Sequence, residues 1–180
     1  MTEPLMTRPH DIVPCSNEAG IRLDPTLAFN RPELNKLLGI WDALRRGRRM
    51  PARADLGPFD LRAHLGHLFL VDVQRDPLRF RYRLVGTKIT NIVHRDVTGR
   101  YFEDIYTGRL LESMIEVQSW VVNERAPLRI FNGTGHPRNT VYVYDGLLLP
   151  LSADGETVNM VLGEVLFTPQ RTSHAFEVGR

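Results

Sequence analysis

The order of patterns along this chain predicts an α+β fold: a five-stranded antiparallel sheet with helices on one face, preceded by an amphipathic helix. Three observations carry that prediction. Two strand-like runs are separated by Asp76 and Pro77, which read as a hairpin. Short helical patterns and one long one follow, from Thr87 to Glu124. Three further apolar, β-branched runs close the chain, separated by turns rich in Gly, Asn or Asp.

Each element has a local cause. Residues 1–29 mix Pro4, Pro9, Pro14 and Pro25 with polar residues and show no sustained period, so they read as a flexible leader that folding does not need. Pro32 suits the first turn of a helix, and Leu34, Leu37, Leu38, Trp41 and Leu44 then recur on one face until Gly47 ends the run. Pro58, Phe59, Leu61, Leu65 and Leu68 read as a short helix beginning near Gly57. Phe69 to Gln74 is the first strand. In the second, Phe80, Tyr82 and Leu84 alternate with Arg79, Arg81 and Arg83, and Gly86 ends it. Ile89, Ile92 and Val93 then fall at helical spacing, and Gly108 to Glu124 places Leu110, Met114, Val117 and Val121 on one face until Pro127. Trp120 beside Val121 is expected to be at least partly buried. The final strands read as Leu128 to Asn132, Val141 to Leu151 and Val158 to Phe167, with residues 169–180 a tail.

Composition limits the classes of function. The formal net charge of +2 offers no global argument for nucleic acid, and no apolar run approaches a membrane span. Cys15 is the single cysteine, which excludes an internal disulfide and fits a reducing, cytoplasmic setting. No secretory signal pattern opens the sequence.

Trp41 with Gly47, Arg48, Arg49, Pro51 and Arg53, the run HLFLVDV from His67 to Val73, and RYRLVGT from Arg81 to Thr87 together resemble a group of bacterial PAS proteins. The resemblance spans Leu34 to Thr168, so residues 30–168 are expected to form one PAS domain that includes the N-terminal helix. It implies a sensory or interaction module without naming a ligand. PAS subfamilies with flavin photochemistry carry a cysteine in the helix after the second strand, and Thr87 to Arg95 has none, so a cysteinyl-flavin adduct is excluded. The resemblance also implies that a haem ligand would be a histidine on or near the long helix; Gly108 to Glu124 has none, which counts against haem, with His94 and His136 keeping the exclusion incomplete.

Several constellations remain. The space between long helix and sheet is expected to be lined by Tyr82, Met114, Val117, Val121, Tyr142, Tyr144, Met160 and Leu162, a mostly apolar wall with hydroxyl groups that suits a small organic ligand and equally a filled core. Arg45, Arg46, Arg48, Arg49 and Arg53 form the basic concentration, readable as an anion or partner contact or as a solvated helix end. No aromatic residues are interleaved for base stacking, which counts against nucleic acid. Asp60, His64 and His67 share one face if the segment is helical, but a fourth metal ligand is missing and a surface or capping role is the plainer reading. The stripe of Leu34, Leu37, Leu38, Trp41 and Leu44 is expected to form a homodimer contact, the alternative being that it covers its own sheet. With no transmitter segment after Phe167, the expected output is through a signalling protein partner. The competing reading is an enzyme using His94, Asp96 or Tyr142 for proton transfer.

Overall fold

The computed structural model describes residues 21–135 and 140–171. Its elements in chain order are β1 (Arg22–Asp24), α1 (Pro32–Arg45), β2 (Leu68–Gln74), β3 (Arg79–Val85), α2 (Thr87–Val93), α3 (Gly108–Glu124), β4 (Leu128–Gly135), β5 (Thr140–Leu151) and β6 (Met160–Arg171). The strands form one antiparallel sheet in the order β1-β4-β5-β6-β2-β3. The β2–β3 hairpin forms one edge, α2 and α3 carry the chain across the sheet, and β4, β5 and β6 return until β6 pairs with β2.

The sheet has six strands rather than five, because the segment read as a leader ends in β1. Arg22, Leu23 and Asp24 pair with Phe131, Ile130 and Arg129 of β4. A three-residue strand has no room for an alternation to show, so periodicity misses it; its anchors are distant in sequence. The Arg129 guanidinium meets Asp24 at 3.3 Å and Asp145 at 2.9 Å and donates to the Ala28 carbonyl at 2.7 Å. Phe29 is buried in the same core.

Both faces of the sheet are covered. Side chains alternate along a strand, so Leu147, Leu149 and Leu151 point away from Tyr144 and Leu148, and all three are fully buried. Helix α3 lies on the Tyr144 side, and α1 covers the other. Arg31, just before α1, donates to Thr168 Oγ1 at 2.6 Å, and Trp41 Nε1 donates to the Pro150 carbonyl at 2.9 Å, so α1 runs along the β5–β6 pair. Leu34 and Leu37 are 0% exposed and Trp41 4%.

Two local readings are corrected. The expected helix near Gly57 is a succession of turns, with backbone bonds from His64 to Leu61 and from His67 to His64, each 2.8 Å, in place of a continuous helical ladder. The strict alternation of β3 also fails. Leu70 pairs with Leu84 but Val71 pairs with Tyr82, so Arg83 is an extra residue in a β-bulge. The bulge turns Leu84 out to 41% exposure and brings Val85 round to the Tyr82 side. Arg83 meanwhile reaches Asp72 at 2.6 Å beside Arg81. Gly86 follows because the chain runs hard against the preceding turn: a Cβ there would lie 2.4 Å from the Gly66 carbonyl oxygen.

Candidate functional site

A cavity of about 100 Å³ lies between α3, α2 and the sheet. Its floor comes from the sheet: Phe69 of β2, Tyr82 and Val85 of β3, Ile130 of β4, Tyr144 of β5, and Val165 and Phe167 of β6. Its roof is helical, with Ile89 and Val93 from α2 and Leu110, Met114, Val117 and Gln118 from α3; Ile21, Val97 and Tyr106 complete the wall. No Asp, Glu, Lys, Arg or His is among these side chains.

Three local features make the cavity. The bulge at Arg83 delivers Val85. Gly163 allows the Phe69 ring to lie across β6, since a Cβ there would come 2.1 Å from Phe69 Cζ. Tyr82 and Tyr106 share a hydrogen bond between their hydroxyls at 2.8 Å, and burial holds the Tyr82 phenol well above its ordinary value, so it stays protonated. Phe69 meets Tyr82 edge-on with centroids 5.9 Å apart, and Tyr82 lies 4.9 Å from Phe102.

Gln118 is the anomaly in this wall. It is 1% exposed on α3, and its Oε1 has no hydrogen-bond partner. A buried amide oxygen without a donor costs about 1–3 kcal/mol.

Of the residues expected to line the pocket, Tyr82, Met114, Val117 and Tyr144 do. Val121 is fully buried one turn beyond Val117, outside the lining. Tyr142 is half-buried and packs edge-on to Phe167, with centroids 6.2 Å apart, also outside it. Met160 and Leu162 are buried on the opposite face: β6 alternates, and Val165 and Phe167 hold the cavity side. Sequence reasoning missed Phe69, Val85, the α2 residues and Gln118. Gln118 was legible as a polar residue four positions after Met114 on an apolar stripe; Val85 was not, because alternation points it the wrong way.

The other constellations resolve into structural roles. Arg45 pairs with Asp42 and lies over the Trp41 ring at 5.2 Å. Arg48 reaches Asp55 at 2.6 Å and the carbonyls of Leu44 and Arg45, capping the end of α1. Arg49 donates to the Glu124 carbonyl and Arg53 to that of Leu56. Arg46 is the left-handed residue that closes α1, at φ 50°. Arg45, Arg48, Arg49 and Arg53 thus fasten the turn to its surroundings, while Arg46, Arg48 and Arg49 remain exposed.

The stripe expected at a homodimer contact packs within the subunit. Leu34, Leu37 and Trp41 are spent inside the subunit, and Leu38 and Leu44 are half-buried beside them against the same core. The β5–β6 face had to be covered, and α1 is the element that covers it.

Asp60, His64 and His67 do not converge, and no cluster among the described residues could hold a metal. His64 is instead buried against Glu164, its Nδ1 2.9 and 3.0 Å from the two carboxylate oxygens. Burial raises the Glu164 carboxyl above its ordinary value, against the lowering effect of the His64 hydrogen bond. His67 contacts Lys88 Nζ at 3.1 Å through Nε2, and burial followed by the Lys88 charge lowers its pKa. His94 is the exposed left-handed cap of α2 and Asp96 accepts a bond from the Thr98 amide in a turn, and neither they nor Tyr142 line the cavity. His136 lies outside the described residues. No described helix is long and apolar enough to cross a membrane.

No curated protein matches this chain. Among solved structures, one described as an RNA-binding light-oxygen-voltage receptor is 13% identical, with a TM-score of 0.43 over 65% of this chain. This chain spans about a third of that structure's length, 35%. A variant described as RsLOV is 11% identical, with a TM-score of 0.43, covering 78% of this chain and 72% of its own. A PAS domain model matches residues 29–166, most of the sequence, from α1 through β5 and into β6, so the chain belongs to the PAS domain family.

Proposed function

We propose that this chain is a sensory PAS module of bacterial signal transduction, working in the cytoplasm, whose input is a small organic ligand held between α3 and the sheet and whose output is contact with a signalling protein. The observation that carries the reading is the cavity itself: an apolar chamber of about 100 Å³ with one buried, unpartnered amide oxygen in its wall. Close packing is the rule in protein interiors, and voids that persist weaken the fold. Occupancy is felt at once by α2 and α3, since Ile89, Val93, Met114 and Val117 form the roof. A ligand that pushes on these helices shifts the balance between two packings of the roof, the form that a signal takes in a binding module.

Titration with toluene, followed through the methyl resonances of Ile89, Val117 and Val165, tests the reading. Saturable shifts at these methyls and not at Leu34 or Leu37 are expected. Absence of any saturable shift, together with a simple rise in Tm when Val117→Ile partly fills the space, would reduce the cavity to a packing defect.

A further inference from the structure

Resting on that reading of the cavity, we infer that its ligand is a neutral, single-ring aromatic bearing one hydrogen-bond donor, of the phenol or pyrrole class, with Gln118 Oε1 as its acceptor. Charge comes first. None of the described lining side chains is ionisable at neutral pH, and the Tyr82 phenol is held protonated by burial and its bond to Tyr106. A carboxylate, phosphate or ammonium would lose its hydration here with no counter-charge, which costs several kcal/mol.

Size comes next. An apolar cavity of about 150 Å³ takes up benzene, so about 100 Å³ admits at most one ring unless the side chains on the rim move. Met114, half-buried on that rim, is the side chain most able to do so, being unbranched. Shape then favours an aromatic over an alkyl chain. Five rings face the space, those of Phe69, Tyr82, Tyr106, Tyr144 and Phe167, and they already meet one another edge-on or tilted. A guest ring extends that arrangement.

Polarity fixes the last property. Gln118 Oε1 is a buried acceptor with no donor, and a half-turn of its terminal amide presents that oxygen to the cavity, where a guest O–H or N–H supplies the bond it lacks. A guest of the same shape without the donor leaves the oxygen as it was.

Calorimetric titration with phenol, toluene, anisole and benzoate, on the wild type and on Gln118→Leu, separates the contributions. Phenol and toluene should both bind the wild type, benzoate should not, and the ratio of phenol to toluene affinity should fall by about tenfold or more in Gln118→Leu, equivalent to about 1.4 kcal/mol. An unchanged ratio, or wild-type preference for anisole over phenol, overturns the donor assignment while leaving a ligand site in place. Saturable binding of benzoate overturns the neutrality. If no probe binds, including toluene, it is the sensory reading of the cavity that fails. Should Gln118→Leu not fold, the wild-type order of phenol over anisole decides the donor alone, and the reverse order refutes it.

Discussion

Trp41 is where two accounts of the N-terminal helix diverge, and one substitution separates them. As a dimer contact, its loss would leave a folded monomer; as part of the subunit's own core, its loss weakens the fold. The side chain is 4% exposed, and its Nε1 donates to the Pro150 carbonyl at 2.9 Å. Trp41→Ala removes a buried indole, at about 3–5 kcal/mol, and orphans a buried carbonyl, at about 1–3 kcal/mol. The two terms overlap because relaxation into the vacated space lets water reach Pro150, so a net loss of about 4–6 kcal/mol is expected. For a chain of 180 residues that lowers Tm by about 8–24 °C. Trp41→Phe keeps most of the apolar contact and should cost about 1–3 kcal/mol, mostly the orphaned carbonyl. Urea unfolding followed by far-ultraviolet dichroism at two protein concentrations is the assay. A midpoint within about 1 kcal/mol of wild type for Trp41→Ala, or one that shifts with protein concentration only in the wild type, would refute the intramolecular assignment.

Glu164→Ala should cost about 1–3 kcal/mol in urea unfolding because it leaves His64 buried without its hydrogen-bond partner, whereas replacing both residues by Leu should recover most of the loss; equal losses in the two variants would show that the cost does not come from the orphaned His64. The folded Glu164 carboxyl titrates above its ordinary 4.5, so the native state holds a proton that the unfolded state has released. The stability difference between wild type and Glu164→Gln should therefore decline as pH rises from about that ordinary value through the raised folded one, and a rise over that window would contradict the assignment. Gly163→Ala should drive the Phe69 ring toward the cavity, costing about 1–3 kcal/mol and weakening toluene binding together; unchanged binding would show that Phe69 does not set the cavity's size.

The elements of this protein are written locally. Helix α3 could be bounded from sequence because an apolar stripe runs unbroken from Gly108 and Pro127 forbids continuation; the structure ends it at Glu124. The β2–β3 hairpin was equally legible, since Asp76 and Pro77 interrupt two strand-like runs. The half-burial of Trp120 follows from its place beside Val121. These signals depend on residues within a few positions of one another, the range over which periodicity speaks.

What only the tertiary structure decided involves partners far apart in the chain. Alternation gives each strand two faces but does not say which one α3 will occupy, so Met160 and Leu162 were assigned to the cavity when Val165 and Phe167 hold it. The bulge at Arg83 arises from the pairing of β3 with β2, and it alone brings Val85 into the wall. The stripe on α1 was visible, yet whether a second chain or the subunit's own β5–β6 face would bury it depended on a sheet assembled more than a hundred residues later. His64 reads from sequence as a surface or capping side chain because sequence offers only neighbours, whereas the fold supplied Glu164 from a central strand and buried the pair. Burial is a property of the assembled chain, and it is burial that turned those side chains into core, hydrogen-bonded pair and cavity wall.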